Sequence, residues 1–216
     1  MQHTEASSLN KKTIYIIRHG QTNLNLQGIV QGRGMDTDLN EFGIKQGEAF
    51  YEAYKDIPFD KIYISTLKRT FQTVKKFIDL GIPYEKLIGL DELGWGIWEG
   101  QPSSPRSRAA FSDLANEWEA GNYNAKTENG ESPNEVLDRQ KIALQHILNA
   151  ENENTVLICM HGRAMRLLLC YLLKKPLCEM KDFPHSNTSL YILDYEGGDF
   201  NIKTFNNLKH LDHLNG

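Results

Sequence analysis

The chain has 216 residues, of which 40% are hydrophobic and 24% are charged, and its formal net charge is −4. These values are ordinary for a globular protein and exclude a disordered or fibrous chain, while the length fits one domain with a full hydrophobic core. A pI of about 6.0 argues against a nucleic-acid-binding surface, which carries an excess of basic residues. A small anionic substrate remains compatible with this charge, because a few local arginines can outweigh a weakly negative average.

The compartment is predicted from targeting signals and cysteines. No apolar run has the length of a signal-peptide core or a membrane span, so we expect a cytoplasmic protein without a membrane partner. Cys159, Cys170 and Cys178 form no CxxC pair and cannot all pair with one another, which fits a reducing compartment and disfavours a cysteine metal site. We predict that residues 1–12 are a polar, disordered leader and that residues 13–216 form a single domain.

Strand and helix patterns alternate along the chain. Buried strands are predicted at Thr13–Ile17, Lys61–Ser65, Leu87–Leu90 and Thr155–Met160, with a closing hairpin at Ser189–Asp194 and Phe200–Thr204. Helices are predicted at 40–56, 66–79, 109–119, 132–149 and 162–173, the fourth beginning with a capping box at Ser132. This alternation indicates an α/β fold, a three-layer sandwich with a mostly parallel central sheet and helices on both faces.

One segment interrupts the alternation. Residues 101–130 contain prolines, glycines and several polar residues, and they hold a short predicted helix. We expect this segment to be a helical insertion over the active site that is short and loosely ordered, which would leave a reaction intermediate open to water.

Two predicted strands end in the same dipeptide, His19-Gly20 after the first and His161-Gly162 after the last buried strand. Ligands of open α/β sheets bind beyond the carboxyl ends of the strands, so neighbouring strands would bring His19 and His161 face to face. Arg18 lies beside His19, and Arg69 begins the helix after the second strand. Two arginines and two histidines in one crevice predict a site for a phosphate dianion.

Cleavage of a P–O bond also needs an acid that protonates the leaving oxygen. Glu92 follows the third predicted strand and is the favoured candidate, and Glu99 further along the same loop is its competitor. A lone histidine or arginine after a strand is more often structural, and a loop carboxylate commonly caps backbone amides. The prediction depends on the combination of these residues.

The combination resembles the histidine phosphatase (phosphoglycerate mutase-like) superfamily. Arg18 to Asn25 (RHGQTNLN) matches the motif RHG(E/Q)(T/S)xxN, although Gln21 stands where many members have glutamate. Further similar segments follow in the family's order between about residues 13 and 194. They are Gln31-Gly32, Asp36–Gly43, Ser65–Thr73, Glu92–Gly100, Gly130–Ser132 and His161-Gly162.

The resemblance implies a role for each matched residue. His19 would be the nucleophile that accepts the phosphoryl group, and Glu92 the acid and base. Arg18, Arg69 and His161 would clamp that group, and Asn25 and Gln31 would donate hydrogen bonds to it. The reaction would require no metal and no other cofactor.

The resemblance leaves three functions open. The Glu92–Gly100 segment resembles the phosphatase branch, which implies hydrolysis of a small phosphorylated substrate. A bisphosphoglycerate-dependent phosphoglycerate mutase is the alternative, and a non-catalytic phosphate-binding protein is disfavoured because all the catalytic residue types are present. The sequence does not identify the substrate or the oligomeric state.

Several other residues have two interpretations. Arg106, Arg108 and Arg163 could contact a remote acidic group of the substrate or could equally be surface charges. His210 and His213 have a spacing that a metal could use, but a solvated polar tail is the favoured interpretation. Trp95 and Trp98 are interpreted as packing residues of a tight loop.

Overall fold

A computed structural model describes residues 11–214, which fold around one six-stranded sheet. The strands are β1 (Lys11–Arg18), β2 (Lys61–Ile64), β3 (Tyr84–Lys86), β4 (Thr155–Met160), β5 (Leu190–Glu196) and β6 (Asp199–Asn207). Their order is β3-β2-β4-β1-β5-β6, with the first four parallel and β5 antiparallel to both β1 and β6. This arrangement confirms the predicted mostly parallel sheet.

Helices cover both faces of the sheet. They are α1 (Asn23–Leu26), α2 (Glu41–Tyr54), α3 (Lys68–Asp79), α4 (Pro105–Glu119), α5 (Pro133–Asn149) and α6 (Gly162–Leu172). One core contains Phe50 of α2 and Phe77 of α3, and the other contains Leu144 of α5 and Leu168 of α6. The three-layer sandwich is therefore confirmed. None of the helices in residues 11–214 is long and apolar enough to cross a membrane.

The first strand begins earlier than the sequence predicts. Residues 1–10 of the predicted leader lie outside the described residues, but Lys11 and Lys12 belong to β1. Lys12 is buried because its ammonium group donates hydrogen bonds to the carbonyls of Ala150 and Glu153 before β4. These bonds satisfy the charge at the end of a long apolar stem, so the leader assignment was wrong for both lysines.

The third predicted strand, Leu87–Leu90, was also wrong. Pairing with β2 ends at Lys86, and Ile88–Leu90 forms a 3-10 turn. Arg139 of α5 explains the turn, because its Nη1 donates to the carbonyls of Gly89 and Asp91 at 3.0 and 2.9 Å. These carbonyls face α5, and the segment turns there instead of continuing the pairing with β2.

The insertion at 101–130 is helical as predicted but is not loosely ordered. α4 begins at Pro105 with a capping box formed by Ser104 and Ser107, and it buries Leu114 and Trp118. The Trp118 indole donates to the carbonyl of Ala125 at 2.9 Å. The expectation of a loose insertion overlooked this apolar face.

The last turn of the described chain also differs from the prediction of a solvated polar tail. His210 lies in the 3-10 turn Lys209–Leu214 and is buried against the rings of Phe50 and Tyr54. Its Nε2 lies 3.2 Å from Thr188 Oγ1. The residue packs the end of the chain onto α2, so a solvated tail is wrong at this position.

Candidate active site

The candidate site lies at the carboxyl ends of β1 and β4, where two histidines follow the strands. These strands are parallel neighbours, with Arg18 opposite Met160, so the following residues leave the sheet side by side. The ring centroids of His19 and His161 are 5.1 Å apart. The register of the sheet thus produces the facing pair that the two His-Gly dipeptides predict.

The His19 ring is buried and held in one tautomer. Its Nδ1 lies 2.6 Å from the carbonyl oxygen of Gly20. A carbonyl only accepts, so Nδ1 carries the proton and Nε2 keeps its lone pair. Burial, followed by the charges of Arg69 and Arg18, holds the pKa of His19 well below its ordinary value. The ring is therefore neutral at pH 7 and can act as a nucleophile.

The loop that carries His19 is anchored on both sides. Thr73 of α3 accepts a hydrogen bond from the Gly20 N–H at 2.9 Å, and Asn187 donates to the His19 carbonyl at 3.0 Å. A Cβ at Gly20 would approach the Gly43 carbonyl oxygen to 2.5 Å, so the close approach of α2 requires glycine there. Asn187 was not predicted, because it lies in a polar loop before β5 without any pattern that indicates function.

Arg18 presents a partly buried guanidinium beside His19. Its Nη1 donates to the carbonyl of His185 at 2.6 Å, and its Nε is buried without a hydrogen-bond partner. Burial lowers the pKa of Arg18 to about 10, although the charge of Glu92 opposes this shift. The group remains charged at neutral pH and can still accept an anionic partner.

Arg69 is fully buried in the first turn of α3. The helix begins at Lys68, not at the predicted Thr66, because the N–H and hydroxyl of Thr66 bind the Asp91 carboxylate at 2.8 and 2.9 Å. Arg69 Nη1 donates to the Met35 carbonyl at 2.6 Å. This contact directs the guanidinium toward the loop that follows α1.

His161 contacts Arg69 and Ser65. Arg69 Nε donates to His161 Nδ1 at 3.2 Å, so Nε2 carries the proton and donates to Ser65 Oγ at 2.8 Å. The Ser65 hydroxyl lies 3.0 Å from Thr70 Oγ1, which continues the chain of hydrogen bonds. Burial, followed by Arg69, holds the pKa of His161 well below its ordinary value. Both ring nitrogens are thus engaged, and His161 orients Arg69 in this state.

Glu92 and Glu99 occupy different places. Glu92 Oε1 accepts hydrogen bonds from the N–H groups of Leu93 and Ala164 at 2.9 and 2.8 Å. Its Oε2 accepts from the Arg163 N–H at 3.1 Å, so the first turn of α6 fixes the carboxyl group. Glu99 Oε1 instead accepts from the Trp95 N–H at 2.8 Å within its own loop. Burial raises the pKa of Glu99.

Asn25 and Gln31 tie together the loop around α1. Asn25 Oδ1 accepts from the Thr22 N–H at 3.2 Å and from Asn187 Nδ2 at 3.2 Å. Gln31 Nε2 donates to Thr22 Oγ1 at 2.5 Å, and its Oε1 accepts from the Thr37 hydroxyl at 2.5 Å. Both side chains therefore have a structural function in addition to their position at the site.

These elements surround a cavity of about 210 Å³. The predicted residues that line it are Arg18, His19, Asn25, Gln31 and Glu92. Trp95, Arg163 and His185 line it as well, whereas Arg69, His161 and Glu99 do not. Within residues 11–214, no three His, Cys, Asp or Glu side chains are grouped to hold a metal ion. A neutral imidazole beside guanidinium groups is suited to attack on a phosphoryl group, whose oxygens carry negative charge.

The comparison with known proteins agrees with this geometry. Residues 14–208 match the model of the histidine phosphatase superfamily (branch 1). The chain belongs to the histidine phosphatase superfamily. The match spans the sheet, the helices on both faces and all seven site residues predicted from the sequence.

Individual relatives in this superfamily are diverse. The chain is 30% identical to "Probable phosphoglycerate mutase GpmB" of Yersinia pestis (strain Pestoides F), over 85% of each chain. It is 37% identical to "Fructose-2,6-bisphosphatase TIGAR" of Bos taurus, but over only 44% of this chain and 37% of that protein. The structure of Bacillus stearothermophilus YhfR superposes with a TM-score of 0.81 and 27% identity, covering 93% of this chain and 100% of the other. The names of these relatives include both a phosphatase and a mutase.

Proposed function

We propose that this histidine phosphatase superfamily member is a phosphoric monoester hydrolase that cleaves a small phosphorylated metabolite through a phosphohistidine at His19. The observation that carries the proposal is the state of the His19 ring, which is neutral, protonated on Nδ1 and part of the cavity wall. Arg18 in the same wall supplies a positive charge for the phosphoryl oxygens.

The first half of the reaction forms the phosphoenzyme. His19 Nε2 bonds to phosphorus while the bond to the leaving oxygen breaks, and Glu92 gives its proton to that oxygen. The backbone contacts of Glu92 support this role, since they fix its carboxyl group at the wall of the same cavity. The products of this half are an alcohol, a phosphohistidine and an ionised Glu92.

The second half returns the enzyme to its starting state. A water oxygen bonds to phosphorus as the bond to Nε2 breaks, and Glu92 takes the proton of the water. Water can reach the cavity because Asn25, Ile29 and Val30 at its wall are partly exposed. Inorganic phosphate then leaves.

The remaining predicted residues act on the phosphoryl oxygens or on one another. Arg69 lies close enough to His19 to lower its pKa, and it stabilises negative charge from the inner side of the site. His161 orients Arg69 and reaches the phosphoryl group only when one of its present hydrogen bonds is exchanged. The amides of Asn25 and Gln31 at the cavity wall donate to the outer oxygens.

Three further properties belong to the proposal. The guanidinium groups supply the charge that a divalent cation supplies in other phosphoryl-transfer enzymes, so the reaction proceeds without a metal. Residues 13–216 act as a single catalytic domain. Cys159, Cys170 and Cys178 are free thiols, which supports a reducing cytoplasmic location.

A phosphoglycerate mutase is the second candidate, favoured by the name of the Yersinia pestis relative. A mutase forms the same phosphohistidine but must keep water away until the group returns to another hydroxyl. Because α4 is ordered, the insertion no longer supports the expectation that water reaches the phosphohistidine. The support for hydrolysis comes instead from the partly exposed wall of the cavity, through which water can enter.

One preparation distinguishes the two candidates. Phosphate release from a panel of phosphomonoesters is measured beside the interconversion of 3- and 2-phosphoglycerate, with and without 2,3-bisphosphoglycerate as primer. The proposal predicts phosphate release that exceeds interconversion and does not need the primer. Rapid primer-dependent interconversion with little phosphate release would replace the hydrolase by the mutase.

A further inference from the structure

Arg163 lines the His19 cavity and also a smaller pocket beside Trp118 and Met180, and its guanidinium forms no ion pair with a carboxylate of the described residues. Its Nε is buried and has no hydrogen-bond partner. Its Nη1 donates only to the sulfur of Met180 at 3.6 Å, and a thioether is a weak acceptor. A buried charge is ordinarily paired, so this group lacks the partner that its position calls for.

Two aromatic rings fix the position of this guanidinium. Its Cζ lies 5.7 Å from the ring centroid of Trp95 and 5.6 Å from that of Trp118. Such contacts attract a cation and restrict the side chain before any ligand binds. Burial lowers the pKa of Arg163 to about 10, so the group is still charged at neutral pH.

The surrounding charge is also unbalanced. Among residues 11–214, the arginines that form ion pairs with carboxylates are Arg33 and Arg139. Arg18, Arg69, Arg163 and Arg166 form none, and Glu92 is the single carboxylate in the described cavity wall. Of these four arginines, Arg18 and Arg163 line the cavity, so its wall presents two guanidinium groups and one carboxyl group before a substrate binds.

The location of Arg163 indicates which part of the substrate it meets. Its backbone N–H binds Glu92, the residue that protonates the leaving oxygen in the proposed reaction. The backbone of Arg163 therefore lies at the Glu92 side of the cavity, where its guanidinium lies over Trp95 of the same wall, whereas Arg18 adjoins the nucleophile His19. Arg106 and Arg108, the other two arginines considered for this role, are exposed on α4 and do not line this cavity.

We propose that Arg163 binds a second anionic group, a carboxylate or a second phosphate, on the leaving-group part of the substrate, and so selects phosphomonoesters that carry one. The fork of a guanidinium matches the oxygens of either group. This inference rests on the proposed phosphatase function and adds the substrate class to it.

The test uses pairs of substrates that differ in one anionic group. 3-Phosphoglycerate is compared with the glycerol phosphate in which CH2OH replaces the carboxylate. 1,3-Propanediol bisphosphate is compared with its monophosphate, and p-nitrophenyl phosphate serves as a substrate without a second anion. We expect the wild type to prefer one or both anionic members in kcat/KM by about tenfold or more, and the pair with the larger ratio identifies the group.

Variants assign that preference to Arg163. R163M should lower kcat/KM for the preferred anionic member by about tenfold to hundredfold, mainly by raising KM. Its kcat/KM for p-nitrophenyl phosphate should stay within about threefold of the wild-type value. R163K should retain part of the preference, because it keeps the charge without the fork. R106M is the matched control, since Arg106 also lies over a tryptophan, 5.8 Å from the ring centroid of Trp98, but outside the cavity.

Three outcomes would overturn the inference. The first is a wild type that hydrolyses p-nitrophenyl phosphate but prefers neither anionic member, a result that needs no variant. The second is an equal decrease of kcat/KM for all substrates in R163M, which would indicate that Arg163 acts only by packing between the two tryptophans. The third is an unchanged preference in R163M. Absence of hydrolysis for every phosphomonoester would instead contradict the proposed function itself.

Discussion

Replacement of Glu92 by glutamine tests the acid of the proposed reaction, because it removes the proton and keeps the shape of the side chain. Glu92 accepts three backbone hydrogen bonds, two on Oε1 and one on Oε2. A glutamine oxygen can keep the bonds from Leu93 and Ala164, but its NH2 group then faces the Arg163 N–H. One buried donor without an acceptor costs about 1–3 kcal/mol, so we expect the free energy of unfolding to fall by that amount.

The effect on rate depends on the leaving group. General acid catalysis contributes about 10²- to 10⁴-fold, and an alkoxide needs the proton whereas p-nitrophenolate is already stable as an anion. In single-turnover experiments, E92Q should therefore lower the rate constant of phosphorylation by about 10²- to 10⁴-fold with a sugar phosphate. With p-nitrophenyl phosphate it should lower that rate constant by less than about tenfold. Rapid quench and urea unfolding measure the rates and the stability on the same preparations.

E99Q is the matched control, because it makes the same chemical change in the same loop outside the cavity wall. We expect it to lower stability without any dependence on the leaving group. Equal losses for both substrates in E92Q would refute the reasoning. A leaving-group-dependent loss in E99Q would transfer the role of the acid to Glu99.

Three further predictions concern pH, metals and a positioning residue. Burial lowers the pKa of His210 to about 4, so the unfolded state binds a proton on this residue before the folded state does as pH falls. Between pH 7 and pH 5, the free energy of unfolding measured in urea should therefore fall by about 2 kcal/mol more in the wild type than in H210F. Equal decreases in the two proteins would contradict this prediction. Activity should survive excess EDTA and be inhibited by vanadate, which resembles the transition state, whereas loss in EDTA with rescue by zinc or magnesium would contradict a metal-free reaction. S65A should lower kcat by about tenfold, because it removes the acceptor of the His161 Nε2–H. S189A is the control and should keep the wild-type kcat, because the Ser189 hydroxyl has no hydrogen-bond partner. Equal kcat values for S65A and the wild type would exclude this role of Ser65.

The parts of the site that depend on strand order were predictable from the sequence. Buried strands have apolar runs, and parallel strands end at one edge of a sheet, so His19 and His161 could be paired before the fold was known. The same reasoning placed Arg69, in the helix after the next strand, close to His161. Local patterns and topology were sufficient for these positions.

Contacts between distant segments were not predictable in the same way. Ser65 accepts the Nε2 proton of His161, and Asn187 donates to the His19 carbonyl, but neither residue belongs to a periodic pattern. The two tryptophans around Arg163 come from separate parts of the chain and meet only through the packing of α4. Lys12 and His210 looked solvated because the sequence shows their polarity and not the partners that satisfy it.

The central claim is that His19 carries the phosphoryl group, and the phosphoenzyme itself tests it most directly. Wild type and H19A are mixed with a ³²P-labelled phosphomonoester and quenched within milliseconds, and protein-bound phosphate is assayed for acid lability and sensitivity to hydroxylamine. The account predicts acid-labile, hydroxylamine-sensitive label on the wild type, and neither label nor turnover in a folded H19A. H19A that retains near-wild-type turnover, or that still acquires the same label, would contradict it.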